Sequence, residues 1–359
     1  MSSRIALLAE GLRGRAPPGR LWRPVLGLAN RGLVTARLAQ ALDGAGGVPA
    51  PVADFLADVL SRNRRRNEAL CGQLAEAVSA LNAAGVTPVL LKGAAGLVTR
   101  GPAWRDGRIL CDLDILVRPA EIETALSVLA ALGYKAFRRQ QGEDPHAVAE
   151  LARAGDRASI DLHQRPPGPP GMAEIADLRE RASPVETGGG ARALIPDAAC
   201  QLYLLVLHDQ FHDGDYWSGR LNLRHLLDIG DLIEERAVDW ARLDALVGTA
   251  VVRHALDTEL IDAGWLTGVR LPEAARRGFW PRLQHRRRRA QVACPVLMLP
   301  LAAATALYEA PNLVAHRREI RRGRRRLFAE APPSGALGPL GDRLERFKDI
   351  FLTPVAGKF

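Results

Sequence analysis

The chain has 359 residues and a formal net charge of +9, with 47% hydrophobic and 25% charged residues. This composition is that of an ordinary folded protein, and the length allows two domains. A net charge of this size could indicate nucleic-acid binding, but it is confined to one segment. Residues 281–330 contain 12 arginines and three glutamates, so the rest of the chain is electrically balanced.

The chain begins with an N-terminal helical segment, predicted over residues 1–84. From Val52 to Ala84, apolar residues recur at three- and four-residue spacing, which indicates one helix or a broken pair of helices. No signal peptide is visible before it, and the four cysteines lack the spacing of metal or redox motifs. We therefore expect reduced thiols and a cytoplasmic location.

Short strand and helix patterns alternate over residues 85–195, which predicts an α/β (α+β) core with a mixed sheet. The predicted strands are Thr87–Leu91, Arg108–Val117, Tyr134–Arg138, Ala158–His163 and a short pair flanking Gly188–Gly190. The predicted helices begin at Gly93, run from Pro119 to Leu132, and cover His146–Ala154. This core is expected to carry the chemistry.

The last part of the chain is predicted as a helical C-terminal domain, residues 196–330, followed by a tail, residues 331–359. Within it, Val292–Tyr308 has no charged residue and lies between arginine clusters. This run is at the short limit for a membrane span and contains Pro295 and Pro300, so we predict a buried helix broken by prolines and no transmembrane span. The basic segment 281–330 is expected to be a solvated face or to bind an anionic partner, either a lipid surface or nucleic acid.

Two aspartates stand one residue apart inside an apolar strand. In Arg108–Val117, alternation places Leu113 and Ile115 on one face, and Asp112 and Asp114 together on the other. Like charges this close repel and lose hydration, and a bound cation is the simplest compensation. Magnesium suits such a site because it takes carboxylate, water and phosphate oxygens. The alternative is a solvated strand pair that nearby arginines neutralise.

A third aspartate, Asp161, lies in the sequence SIDLHQ of a later strand. Alternation places Ile160 and Leu162 toward the core, and Asp161 and His163 toward the same side as the first pair. His163 is a candidate substrate contact, a supporting hydrogen-bond partner, or an ordinary structural histidine.

The order of these motifs resembles the nucleotidyltransferase superfamily with the polymerase-β-like fold, and specifically a poorly characterised bacterial branch with the pattern LKG…R…DxDxLV. The resemblance covers about residues 65–250. The matching residues are Leu91-Lys92-Gly93, Arg108, Asp112–Val117, Gly133-Tyr134 and Asp161–His163. It implies transfer of a nucleoside monophosphate from an NTP, with Mg²⁺ or Mn²⁺, to an acceptor that is a small molecule, a peptide or protein, or an RNA end.

The same resemblance implies roles for individual residues. Asp112, Asp114 and Asp161 would be the catalytic carboxylates that hold the metal ions. Lys92, Gly93 and Arg108 would contact the nucleotide. Typical superfamily members have Gly-Ser where this chain has Lys92-Gly93, so a hydroxyl is lost while Lys92 supplies a positive charge for the triphosphate. The alternative is a catalytically degenerate relative that binds a nucleotide or a partner.

A histidine-rich stretch, HDQFH, places His208 and His212 on one face of a helix. Its second residue is Asp and not Glu, so the zinc motif HExxH is absent. We predict a helical wall facing the cleft, with His208 as a substrate contact. Further along, Arg224 and Asp228 stand four residues apart, which predicts an ion pair within one helix.

Overall fold

The computed structural model describes residues 4–139, 147–235, 237–273 and 278–327. In these residues one mixed sheet of seven strands is combined with 14 helices, which confirms the predicted α+β class. The strands are β1 (Val89–Leu90), β2 (Asp112–Leu116), β3 (Lys135–Arg139), β4 (Ala147–Ala152), β5 (Ser159–His163), β6 (Ser183–Gly188) and β7 (Ala191–Ile195). The predicted tail, residues 331–359, lies outside the described residues.

The helices before and within the sheet are α1 (Arg4–Leu12), α2 (Trp22–Arg31), α3 (Thr35–Ala41), α4 (Ala50–Ala83), α5 (Lys92–Thr99), α6 (Pro102–Gly107) and α7 (Ile122–Ala131). Those after the sheet are α8 (Ala198–Leu207), α9 (Asp215–Ser218), α10 (Leu223–Glu234), α11 (Trp240–Leu246), α12 (Ala250–Thr267), α13 (Phe279–Ala293) and α14 (Met298–Leu327). The predominantly helical C-terminal region therefore agrees with the sequence pattern.

The strand order across the sheet is β3-β4-β5-β2-β1-β7-β6. Strands β2 and β5 pair in parallel, as do β1 and β7, and the other neighbours are antiparallel. One apolar cluster joins a face of this sheet to α4 and α7. A second cluster joins α1–α3 to the C-terminal helices. The first residues of the chain thus share a core with its later half.

Helix α4 is continuous over 34 residues, so the sequence pattern of Val52–Ala84 belongs to one helix. Three of its buried side chains are polar, namely Asn63, Asn67 and Gln73. Asn63 and Asn67 donate hydrogen bonds to the carbonyl oxygen of Arg108, at 3.2 and 2.7 Å. These bonds satisfy a buried backbone acceptor and fix the segment that leads into β2.

One predicted helix is wrong. The sequence favoured a helix over His146–Ala154, yet Ala147–Ala152 forms β4, between β3 and β5; His146 itself lies outside the described residues. Alanine, glutamate and leucine favour helices when they are isolated. Hydrogen bonding to two neighbouring strands outweighs that local preference here, as tertiary context often does.

The prediction of a buried, proline-broken helix near the C-terminus is correct for the break, since α13 ends at Ala293 just before Pro295, but wrong for the burial. Helix α14 is unbroken from Met298 to Leu327 although Pro311 lies inside it. Pro295 begins a separate 3₁₀ turn, and Pro300 falls in the first helical turn, where no backbone donor is needed. By length and composition, Pro295–Gly323 is the one described helix able to cross a membrane, and 17% of its apolar window is buried.

The far end of α14 meets the loop that follows β5. Gly323 of the helix and Gly171 of the loop approach each other backbone to backbone, and a Cβ atom on either residue would overlap the other. Gly171 also has a φ of +81°, which side chains rarely adopt. The loop leaving a central strand is therefore packed directly against the basic helix.

Candidate functional site

The centre of the sheet carries the three predicted carboxylates on one face. Asp112 and Asp114 lie on β2, and the parallel register pairs Asp114 with Asp161 on β5. Leu113 and Ile160, on the opposite face, are fully buried. Strand alternation together with this register brings the carboxylates to one surface.

Three side chains converge closely within this surface. Ligand atoms of Asp114, Asp161 and His163 all lie within 4.8 Å of one another. His163 and Asp114 are buried, and His163 Nε2 is 2.9 Å from Asp114 Oδ1. Asp112, two residues earlier, is not in this group of three, but its charge acts on Asp161 and on Lys92.

Lys92 begins α5 and contributes the positive charge of the site. Its φ is +47°, in the left-handed region that residues other than glycine rarely occupy. From this position Nζ donates to Asp114 Oδ1 at 2.9 Å. A strained backbone that is stabilised by its surroundings is a common feature of functional sites.

The charges of the site are unequally balanced. Burial alone would raise the pKa of Asp114, but the charge of Lys92 and the hydrogen bond with His163 hold that pKa well below its usual range. Burial, followed by the charges of Asp114 and Asp112, raises the pKa of Asp161 to about 8. Burial opposes the charge on Lys92, yet Asp114 and Asp112 outweigh it and raise the lysine's pKa. At neutral pH, Asp114 is ionised and Asp161 holds a proton.

A fourth carboxylate, Glu150 on β4, lies opposite Asp161 in the antiparallel register and adds to the rise of its pKa. The sequence prediction missed Glu150 because it assigned this segment to a helix. A signal was present: buried Ala149 and Leu151 alternate with Glu150, which is the period of a strand.

A family model described as an uncharacterised nucleotidyltransferase matches residues 18–266, which is more than half of the chain. The chain belongs to this nucleotidyltransferase family. No curated protein matches the chain. The matched range includes Lys92, Asp112, Asp114 and Asp161, and it ends before α13 and α14. The carboxylate surface therefore lies within the matched range, and the basic C-terminal helices lie beyond it.

Within this nucleotidyltransferase, Gly93 has a packing role. A Cβ atom at Gly93 would overlap the side chain of Leu110. A larger residue would require the Leu110 side chain or α5 to shift. Contact of Gly93 with a nucleotide stays a prediction.

Arg108, predicted to contact the nucleotide, is buried against Asp228 of α10. Its Nε and Nη2 donate to Asp228 at 3.0 and 2.8 Å, and its Nη1 donates to the carbonyl oxygen of Ile109 at 2.6 Å. The predicted Arg224–Asp228 pair is therefore wrong, because Asp228 is bonded to Arg108 instead. Arg224 approaches Cys111 Sγ at 3.5 Å. Both contacts hold α10 beside the start of β2.

Helix α8 lies next to Lys92, and a cleft-facing wall formed by its continuation, His208–His212, stays a prediction. Gln201 and Leu205 of α8 line a small cavity together with Lys92 and with Asp228 of α10. His208 lies one turn beyond Leu205, in a π-helical turn that spans His208–His212. Such turns are frequent at functional sites.

The histidines of this wall are paired with carboxylates. His208 Nδ1 is 3.3 Å from oxygens of both Asp209 and Asp213. Asp209 Oδ1 is also 2.8 Å from His225 Nδ1. Two groups of possible metal ligands share His208, one with His212 and Asp213, the other with Asp209 and His225. A substrate contact by His208 stays a prediction.

Proposed function

We propose that the protein transfers a nucleoside monophosphate from an NTP to an acceptor, and that the transfer depends on a divalent metal ion. We also assign it to the LKG…R…DxDxLV branch of its family. The observation that carries the proposal is the excess of carboxylates over cations on the β2–β5 surface. Asp112, Asp114 and Asp161 face one lysine, and the pKa of Asp161 is raised to about 8 as a result of burial and these like charges.

A hard divalent cation fits this donor set. Carboxylate oxygens are the ligands that Mg²⁺ and Mn²⁺ prefer, and ligand atoms of Asp114, Asp161 and His163 already lie within 4.8 Å. Asp112 and Asp114 would hold the metal ion on the nucleotide, and Asp161, together with Asp114, would hold the metal ion that activates the acceptor. When bound, the metal ions would stabilise negative charge on the phosphate oxygens and on the attacking oxygen.

The other residues have supporting roles in this proposal. His163 orients Asp114 through their hydrogen bond. Lys92 has three N–H donors and gives one to Asp114, which leaves two for phosphate oxygens. Asp161 must lose its proton before it can bind a cation. The acceptor would enter along the wall formed by α8 and His208. We further propose a cytoplasmic location, which suits an NTP substrate and the four free cysteines.

The direct test uses purified protein, labelled NTPs, Mg²⁺ or Mn²⁺, and a cell extract as the source of acceptor. We expect a labelled product with wild-type protein and none with the Asp112→Asn, Asp114→Asn double variant. The matched control is Asp54→Asn, Asp58→Asn, which changes two exposed carboxylates of α4. Product formation by the first double variant at the wild-type rate would disprove the assignment.

One observation favours a second function, nucleotide binding without transfer. The Lys92 ammonium already neutralises Asp114, at 2.9 Å, so the site carries a cation of its own. A non-catalytic relative would bind NTP equally well with EDTA and with Mg²⁺. The enzyme would bind NTP only with the metal ion.

The Lys92→Ala variant gives a second test that separates the enzyme from a non-catalytic nucleotide-binding relative. In the enzyme, we expect triphosphate binding to weaken by about 1.5–3 kcal/mol, the value of a hydrogen bond to a charged group, while metal dependence is kept. Calorimetric titration with NTP and with the unphosphorylated nucleoside would measure the difference. Equal NTP affinity in the variant and the wild type would exclude Lys92 from the nucleotide site.

A further inference from the structure

The outward face of α14 and of the turn before it is an exposed apolar stripe. Val296 and Leu307 are 79% and 77% exposed. The exposed residues of the stripe are Val296, Leu299, Pro300, Ala303, Ala304, Ala306, Leu307, Tyr308, Ala310, Pro311, Val314 and Ala315. None of these described residues is charged, and together they extend over about 30 Å at the rise of an α-helix. A continuous apolar surface of this size indicates an interaction site.

The opposite face of α14 is bonded to the rest of the protein. Buried Glu309 accepts a hydrogen bond from the hydroxyl of Tyr216 and contacts His254 Nδ1 at 2.7 Å. His316 Nδ1 is 3.2 Å from the hydroxyl of Thr249. These contacts fix which face points outward. The helix could enter a bilayer as a span only by breaking them, so the stripe is suited to lie on a surface.

Positive charge borders the stripe beyond its C-terminal end and beside its middle. Along α14, Arg317, Arg318, Arg321 and Arg322 follow it and are exposed. On α13, exposed Arg282 and Arg286 stand beside exposed Phe279 and Leu283. The two helices are joined at the stripe by the stacked rings of Trp280 and Tyr308, whose centroids are 3.5 Å apart.

This combination identifies the partner by its chemistry. An anionic lipid surface offers headgroup charge to arginines and an apolar boundary to Leu, Val and Phe. A nucleic acid would leave the uncharged stripe without a partner, since phosphate contacts need cations and base stacking needs aromatic rings. A second copy of the chain would bring two sets of arginines into one interface, and the stripe has no exposed carboxylate to receive them.

We propose that α13 and α14 form a surface that binds anionic membranes, with α14 lying parallel to the membrane plane. The apolar stripe enters the boundary between headgroups and acyl chains, and the six exposed arginines contact the headgroups. The surface lies outside the residues that match the nucleotidyltransferase family, so its role is independent of the proposed transfer.

Sedimentation of the full-length protein with sucrose-loaded vesicles tests this proposal. We expect binding to phosphatidylcholine vesicles that contain about one third phosphatidylglycerol, little binding to pure phosphatidylcholine, and weaker binding at high salt. Leu307→Ser with Val314→Ser should reduce the partition coefficient at least about tenfold, since each buried methylene adds to membrane affinity. Arg317→Gln with Arg318→Gln and Arg321→Gln should reduce it similarly, on anionic vesicles only.

Control variants carry changes of the same kind elsewhere. Phe137→Ser removes a side chain of β3 that is 61% exposed, and Arg62→Gln with Arg65→Gln removes exposed arginines of α4. Both should bind vesicles like wild type. NTP affinity and the melting temperature should be unchanged in all variants, which shows that they fold.

Three results would overturn the proposal. The first is wild-type protein that does not sediment with anionic vesicles, or binds neutral vesicles equally. The second is unchanged sedimentation of the Leu307→Ser, Val314→Ser variant. The third is self-association in solution that this variant abolishes while vesicle binding is absent, because the stripe would then be covered by a second copy.

Discussion

Two clusters of buried charge in this protein are alike in composition and differ in balance. Between α12 and α13, the fully buried Arg288 donates to Glu259 at 2.7 Å and to Asp262 at 2.6 Å, and Asp262 also contacts His285 at 2.6 Å. Every carboxylate of this cluster has a cationic partner. On the sheet, Lys92 contacts Asp114, while Asp112 and Asp161 make no ion pair with any described residue.

Each cluster contains a carboxyl group with a raised pKa, so a raised pKa alone does not distinguish the two clusters. Burial is the main cause that raises the pKa of Glu259 to about 8, as it does for Asp161. The partners of the two groups differ. Glu259 accepts hydrogen bonds from Arg288 and Gln210, whereas Asp161 is half-buried and is accessible to a ligand. A balanced buried cluster stabilises the fold, and an unbalanced one is suited to binding a cation.

The largest expected effect tests the catalytic side of this comparison. Asp161→Ala should lower transfer by several orders of magnitude while Mg-NTP binding stays close to wild type. Asp112 and Asp114 remain to hold the nucleotide's metal, and activation of the attacking group is a transition-state contribution. Single-turnover kinetics and calorimetry would measure the two effects. Loss of NTP binding as complete as in the Asp112→Asn, Asp114→Asn variant would show that the carboxylates do not divide their roles in this way.

The next effect is on stability. Arg288→Met should lower the free energy of unfolding by about 3–5 kcal/mol, because Glu259 and Asp262 lose their buried partner. Asp161→Asn should leave the free energy of unfolding equal or higher, because it removes an unpaired carboxyl that like charges surround. Urea denaturation without divalent ions would measure both. If the Asp161→Asn variant is less stable than wild type, the carboxylate cluster on the sheet stabilises the fold.

The pH dependence of stability should differ between wild type and Asp161→Asn. An unfolded chain releases the Asp161 proton near pH 4, whereas the folded protein keeps it until the raised pKa of about 8. The unfolded state therefore binds fewer protons between these values, and the free energy of unfolding falls as pH rises through them. Melting temperatures from pH 5 to 8 without divalent ions should fall more steeply for wild type. Glu259 contributes equally to both proteins, so parallel curves would contradict the shift of Asp161.

The smallest effect concerns the backbone of Lys92. At a φ of +47°, Lys92→Gly should be more stable than Lys92→Ala by about 1 kcal/mol, since only glycine adopts this region without strain. Both variants lose the same amine, so the comparison isolates the backbone. Equal thermal stability of the two variants would show that no strain is stored at this turn.

The sequence predicted what depends on local pattern. The i, i+2 spacing of Asp112 and Asp114 and the alternation around Asp161 identified the strand face that carries the carboxylates. What the sequence could not predict depends on contacts between distant segments. The Arg108–Asp228 pair joins residues 120 positions apart, and Glu150 reaches the site only because β4 pairs with β5. The sequence of an uncharged run such as Val292–Tyr308 does not show whether the run faces a protein core or a lipid surface.

The contact between Gly171 and Gly323 has a consequence for the history of the family. Because the two backbones touch, a side chain at one position would force the other segment away, so neither residue can change alone while α14 keeps its place. Gly171 lies within the range that matches the family, and Gly323 lies beyond it. Relatives that carry both segments should keep glycine at both positions together. In relatives that lack α14, no contact with Gly323 constrains position 171. Only the positive φ of the loop then favours glycine there.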